Sequence, residues 1–427
     1  MYAWSWAYLA RAALRAYEGT GQRRFVDLVA DTGDRILADG DGELGRLDEF
    51  RQRVLRTWGT CGHLEDTYTS VLTHAGRIGY PLARFCWIVA QDEKLEALHG
   101  SRAARFLAAA EEALAEFEPD YRVVDGTDQG YYVRPTRRDV DPINHVHCAG
   151  ETFVLLYVLT GKQEYRQRVV ELANFFVAAV RTEVNGSFTW PYQPAPHAPG
   201  DRKAPPEPVS KAQITILFPL SAYEHGLFFE AEHMEALART IRLNIHRGGN
   251  RFQQTISAGG QGHLMEGPGP SGRHCLLAGW IYLDRFDPQV RTIIERAVAH
   301  RRDIFPGGWF QRPVTAMAYS YRFLSRGIPT NSTAPETDAS RDPTHPAPSF
   351  DVETRSPSTS CRESRLASAL ENAPSRRAKR AGPCPSHRPP HRRASVQPPP
   401  AAARPAAGCR GTMTDRRGPR RPRRRAR

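Results

Sequence analysis

Leu14-Arg15-Ala16-Tyr17-Glu18-Gly19-Thr20-Gly21-Gln22-Arg23-Arg24-Phe25 and Val154-Leu155-Leu156-Tyr157-Val158-Leu159-Thr160-Gly161-Lys162-Gln163-Glu164-Tyr165 are two copies of one pattern. Each has a tyrosine, two residues, Thr-Gly, three residues and then an aromatic, and each lies between two apolar-periodic stretches. Glycine adopts the left-handed conformation that ends a helix without a Cβ penalty. The aromatic one turn into the next helix lies back on the first and sets the angle between them. The pattern therefore predicts helical hairpins. A looser third copy, Tyr223-Glu-His-Gly-Leu-Phe-Phe, predicts a following helix from about Glu230 to Ile245.

Away from these turns, apolar residues recur at spacings of three and four, the period of a helix face. Leu82, Phe85, Cys86 and Val89 form one such stripe, and Phe106, Ala109, Ala113 and Phe117 another. Val169, Leu172, Phe175, Phe176 and Val180 form a third, and Ile293, Ile294 and Val298 a fourth. The spacing predicts some twelve or thirteen helices, at about 55 residues per hairpin. Only Tyr131-Tyr132-Val133 and Phe188-Thr189-Trp190 read as strands, short hairpins on long loops.

The formal charge of +13 suggests a nucleic-acid partner until it is located. Residues 331–427 carry 21 Lys+Arg against 8 Asp+Glu, so the first 330 residues are neutral overall. The chain divides into a helical domain, 1–328, and an Arg/Pro-rich tail, 329–427. With Phe350 as the only aromatic after residue 330, the tail has too little to bury. Ordering it costs roughly 1–2 kcal/mol per residue, against about 25 cal/mol per Å² of apolar burial. The tail is expected to be disordered. Its terminal arginines could neutralise phosphates without reading sequence, though GC-rich codons read out of frame would leave the same composition.

The neutral domain supplies no other strong class signal. Cys61, Cys86, Cys148 and Cys275 form no CxxC pair and read as buried thiols, neither a zinc site nor a disulfide framework. The first residues, Met1-Tyr-Ala-Trp-Ser-Trp-Ala, lack the positive n-region of a signal peptide, and no membrane span is expected. Localisation is therefore open, cytoplasmic by default, and the start inside a hairpin raises the possibility of missing upstream sequence.

Six hairpins in about 330 residues resemble an (α/α)-toroid, a ring of inner and outer helices. The Tyr-x-x-Thr-Gly-x-x-x-aromatic turn is similar to the hairpins of carbohydrate-active toroids, a group of six-hairpin glycosidases, polysaccharide lyases and sugar epimerases. The resemblance covers most of residues 1–326 and concerns scaffold more than chemistry. It implies a carbohydrate substrate, with the site where inner helices begin after aromatic-rich loops.

Three segments meet that description. Pro142-Ile143-Asn144-His145-Val146-His147-Cys148 precedes a helix, with Asn144 as a good N-cap or a ligand for a sugar hydroxyl or carboxylate. His145 and His147 have possible metal-ligand spacing but no clear third ligand, so neither metal nor cofactor is expected. Asn185-Gly-Ser-Phe-Thr-Trp190-Pro-Tyr192 carries rings suited to stacking on sugars or to packing a hairpin. Pro206-Glu207-Pro208-Val209-Ser210-Lys211 opens the next helix. There the resemblance implies an acidic residue followed by Ser-His, so Pro208 and Lys211 depart from the pattern.

The expected catalytic residues are Asn144, His145, Tyr192 and Glu207, and the expected substrate contacts are His63, Glu65, Arg134 and Trp190. His63, Glu65 and Asp66 fall near the first turn of a helix starting at Thr60 or Gly62, and Tyr80-Pro81 opens another. Asn, His and Tyr suit β-elimination, with Arg134 as carboxylate clamp. Glu207 with Glu65 or Asp66 suits hydrolysis by paired carboxyls. An epimerase needs a similar base and acid. A degenerate or binding-only toroid, or a helical interaction scaffold, is the reading from outside enzymology.

Overall fold

In a computed structural model, the structure describes residues 2–304 apart from 62–66, 135, 202, 260–262 and 265–277. The tail and the boundary near 328 lie outside the described residues, as do His63, Glu65, Asp66 and Cys275.

The repeat does what its residues dictate. Helix α1 (Trp6–Thr20) ends at Gly21 with φ 66°, and its amide donates to the Tyr17 carbonyl at 2.7 Å. Helix α2 (Arg24–Ala38) follows at once. The two-residue helix α6–α7 turn repeats this: α6 (Ile143–Thr160) ends at Gly161, φ 69°, and α7 (Gln163–Ala179) begins after Lys162. The threonine has a part the pattern alone did not explain. Thr20 Oγ1 donates to the Ala16 carbonyl at 2.6 Å and accepts from the Gln22 amide at 3.3 Å. Thr160 does the same with Leu156 and Lys162, at 2.6 and 3.3 Å. One hydroxyl thus serves an orphan carbonyl of the ending helix and an amide of the next. Tyr165 lies back on Phe153 of α6, ring centroids 5.9 Å apart.

Between these hairpins come a short α3 (Asp41–Leu44) and the pair α4 (Leu72–Ala90) and α5 (Glu93–Ala115). After them come α8 (Val209–Thr215), α9 (Leu217–Glu224) and α10 (Ala231–Arg239). Gly226, φ 66°, makes the third turn, and α10 continues through a π-turn to Ile245, as the sequence predicts. The last described helix is α11 (Gln289–Ile304).

Burial separates two layers. α4 and α6 bury nearly every side chain, as helices packed on all sides must. α2, α5 and α7 bury a single stripe. α4 packs on α1, α5 and α6, and α6 packs on α7, α8 and α9. The inner helices approach closely: a Cβ on Gly76 would sit 2.4 Å from the Ala149 amide nitrogen. Ions fill the inner side. Arg11 pairs with Glu151, and its guanidinium lies 3.7 Å from the Tyr80 ring centre. Arg84 reaches Glu18 at 2.6 Å, and Arg15 bridges Glu18 and Glu224 at 3.0 and 3.3 Å. α1 thereby touches α9.

Two expected helix starts are corrected. Thr60 starts no helix: it pairs with Thr69 in an antiparallel bridge, amide to carbonyl at 2.9 and 3.0 Å, while Gly62 lies outside the described residues and the next described helix begins at Leu72. Tyr80-Pro81 lies inside α4. Proline removes one helix hydrogen bond, but here the helix is held by neighbours on every side. Cys61 is exposed, whereas Cys86 and Cys148 are buried as expected. Strands are few and short, with Tyr131–Val133 inside β4 (Gly130–Arg134), between β3 (Tyr121–Val123) and β5 (Asp139–Val140). No helix among the described residues is long and apolar enough to cross a membrane.

Candidate functional site

α6 and α8 start in the same way. Each is preceded by a proline in extended conformation, Pro142 or Pro208. The first helical amide is then taken by a crossing loop: Ile143 donates to the Tyr192 carbonyl at 3.1 Å, and Val209 to the Gln254 carbonyl at 2.9 Å. Glu207 donates its amide to the Trp190 carbonyl at 3.1 Å. These loop bonds draw the 142–148, 190–192 and 206–211 segments together at the N-terminal ends of the inner helices. α4 brings Thr73, His74 and Arg77 to the same end, and the chain before α1 brings Trp4, whose indole donates to His74 Nε2 at 2.9 Å.

Asn144 is the second residue of α6, not its N-cap, which is Pro142. Its side chain is fully buried, and neither amide atom has a hydrogen-bond partner. Buried amides are satisfied as a rule, and this one is an exception. Next to it, His145 Nδ1 lies 2.8 Å from Asp141 Oδ1. A carboxylate only accepts, so in the neutral ring Nδ1 carries the proton and Nε2 the lone pair.

Glu207 is fully buried, with one oxygen accepting from the Trp190 indole and the other from Thr215 Oγ1 at 2.9 Å. Burial raises its pKa to about 8, although Trp190, Thr215 and the positive charge of Lys211 all pull the other way. At neutral pH this carboxyl is mostly protonated. Tyr192 is half-buried, and its phenol is pushed up to about 12, first by burial and then by Glu207. Arg134 and Asp141 also act on it, which places the phenol among these groups.

The other expected residues behave differently. Trp190 is fully buried and edge-on to Phe176, so its ring is a core ring holding Glu207 and offers no face for a sugar. Arg134 is forked onto Asp139, beside a cavity of about 30 Å³ lined also by Arg51 and Asp141. That volume suits a water and no sugar ring. His147 donates Nδ1–H to the Thr215 carbonyl at 2.6 Å, and burial between Phe176 and Phe218 lowers its pKa to about 3. It is a core histidine, and His145 and His147 face different partners. Among the described residues no group of three or more His, Cys, Asp or Glu is arranged to hold a metal.

Sequence reading missed Asp141 and the basic side of the site. The Asp-x-x-x-His spacing ahead of α6 was a usable signal for the first. Lys211 was noted only as a departure, yet its ammonium lies 5.7 Å from the Trp4 ring centre, and burial lowers its pKa. Arg77 lies against the same ring at 5.2 Å and against Tyr8 at 3.9 Å.

The described fold is that of a mostly helical protein built from α-hairpins, with a polar, partly unsatisfied cluster where its buried helices begin. No protein-family model matches the chain, and no curated protein matches it in sequence. Among solved structures the chain is similar to a polysaccharide lyase, at 11% identity and a TM-score of 0.47 over 76% of this chain and 90% of that one.

Proposed function

We propose that the chain is a carbohydrate-active enzyme that works by proton abstraction at the mouth of a six-hairpin (α/α)-toroid. The observation carrying this reading is the buried, unpartnered amide of Asn144 beside a histidine braced by Asp141. In a β-elimination, His145 Nε2 removes the proton next to the substrate's acidic group while Asn144 donates to the oxygen that gains charge. The bond to the leaving sugar oxygen breaks, the electron pair forms a carbon–carbon double bond, and Tyr192 returns a proton to that oxygen. Epimerisation uses the same abstraction with the proton returned to the opposite face.

Hydrolysis by paired carboxyls is the less favoured chemistry, because both Glu207 oxygens are already occupied inside the protein. Glu207 serves better as the post that positions Trp190 and Thr215. A binding-only toroid is the second reading, favoured by Pro208 and Lys211 where the resemblance implies a different pattern.

A polysaccharide panel, followed both by ultraviolet absorbance of unsaturated ends and by reducing ends, tests this. Absorbance and reducing ends rising together, and lost in His145→Ala with unchanged melting, support elimination. Reducing ends alone would return the mechanism to hydrolysis. Binding without turnover on every glycan would leave the non-catalytic reading standing.

A further inference from the structure

We propose that Arg77 and Lys211 form the anion-recognising half of this site and receive a carboxylate or sulfate group of the glycan. The inference rests on the carbohydrate reading above and adds the residues that select the substrate's charge.

Two cations from different inner helices, α4 and α8, lie against one ring, that of Trp4. Among the described residues neither forms a close ion pair, although Glu207 acts on Lys211 and Glu151 on Arg77 through space. Arg77 is buried and donates Nε to the Ala3 carbonyl at 2.9 Å, a neutral acceptor. Burial disfavours the charge on Lys211, Glu207 and Cys148 favour it, and Arg77 lies close enough to disfavour it slightly.

The acidic groups nearby balance them only in part. Glu207 holds its proton at neutral pH, with both oxygens engaged. Glu151, one helical turn beyond Cys148 on α6, is engaged first by Arg11, with Arg77 acting on it more weakly. The Cys148 thiol, between Asn144 and Glu151 on that helix, is kept protonated by burial. In a domain whose charge is neutral overall, this corner keeps a local positive excess.

Partly desolvated cations without a close ion pair cost folding free energy unless a counter-charge joins them. Asn144 gives an independent observation at the same place, since its buried, unpartnered amide belongs to that end of α6 and lies one turn before Cys148. An anionic group seated there would gain charge-assisted hydrogen bonds from both cations and a donor from the amide.

The test measures affinity of the full chain for three short oligosaccharides at physiological salt. Hyaluronan fragments carry carboxylate, dextran sulfate fragments carry sulfate, and dextran fragments carry no charge. Wild type is compared with Lys211→Met, which keeps the apolar stem, and with Lys211→Arg. All three proteins share the same basic tail, so differences between them read the site. Lys211→Met is expected to lose about tenfold or more in affinity for one of the charged fragments. Lys211→Arg should retain most of it, and dextran should be unaffected. The fragment that responds distinguishes carboxylate from sulfate.

Equal affinities for wild type and Lys211→Met on both charged fragments would overturn the inference. So would an equal loss on dextran, which would make Lys211 a positioning residue. Melting temperatures of the variants check that folding is intact. Turnover of uncharged glycans with no preference for charge would sink this inference and the elimination chemistry, leaving only the carbohydrate-active reading in place.

Discussion

His145 depends on Asp141 for its orientation, and that dependence is measurable. In Asp141→Asn the partner can donate as well as accept, so the imidazole is free to move its proton to Nε2 and stop acting as a base. We expect kcat to fall by about a hundredfold, within the range of a positioned general base, with KM little changed. Unaltered kcat would remove the pair from the mechanism. Glu207 makes a different prediction. Its pKa is raised to about 8 by burial, so the folded state binds a proton that the unfolded chain releases near its ordinary value of 4.5. Stability is therefore complete below that ordinary value and declines as pH rises towards 8, by about 1.4 kcal/mol per pH unit at most. Glu207→Gln has no proton to lose, and the Thr215 hydroxyl can reverse its role to accept from the amide. Melting curves of wild type and Glu207→Gln should run together below the ordinary carboxyl range and separate towards pH 8, with wild type the less stable. Parallel curves throughout would show that the carboxyl is ionised in place.

The hairpin is the element that recurs, and its glycines separate two physical demands. At Gly161 a Cβ would meet nothing within 4 Å, so substitution costs only the left-handed backbone, φ 69°. Gly161→Ala should lower unfolding free energy by about 1–2 kcal/mol in urea titrations. Gly76 faces the opposite problem, with helical backbone and no room, since a Cβ would fall 2.4 Å from the Ala149 amide nitrogen. Gly76→Ala must push α4 and α6 apart, and we expect it to cost at least as much as other overpacked cores, about 1–3 kcal/mol or more. It should also disturb the site, because Arg77 and Asn144 ride on those two helices. A Gly76→Ala variant with wild-type stability would mean that the two helices can separate freely. The turn motif made Gly161 readable from the chain; nothing local distinguishes Gly76.

Across the whole molecule, the inner side is held by charge as well as by packing. Arg11 and Glu151 join α1 to α6 with side chains only 6% and 5% exposed. Removing one partner strands the other, so Arg11→Met should destabilise by about 3–5 kcal/mol. Replacing both, Arg11→Met with Glu151→Leu, should recover most of the loss. If the double variant is as unstable as the single, the pair is not the reason for the cost. The tail belongs to this scale too. It lies outside the described residues, and its composition alone carries the expectation that deleting 331–427 leaves the melting temperature unchanged. A large fall would refute that expectation.

The sequence by itself determined the hairpins and the helical class, because a Thr-Gly turn and a spacing of three and four residues act within a few residues of chain. Of the site, it marked the 142–148, 190–192 and 206–211 segments, since prolines and aromatics ahead of a helix are local signals. Only the tertiary structure decided what each side chain does there. Trp190 looked like a stacking ring and became the indole that holds Glu207. Asn144 looked like a cap and proved to be a buried amide without a partner. Arg77 carried no local signal, and gained its place when Trp4 and Lys211 came together from opposite parts of the chain. Burial and long-range pairing set these roles, and both are properties of the packed molecule that no short stretch of sequence contains.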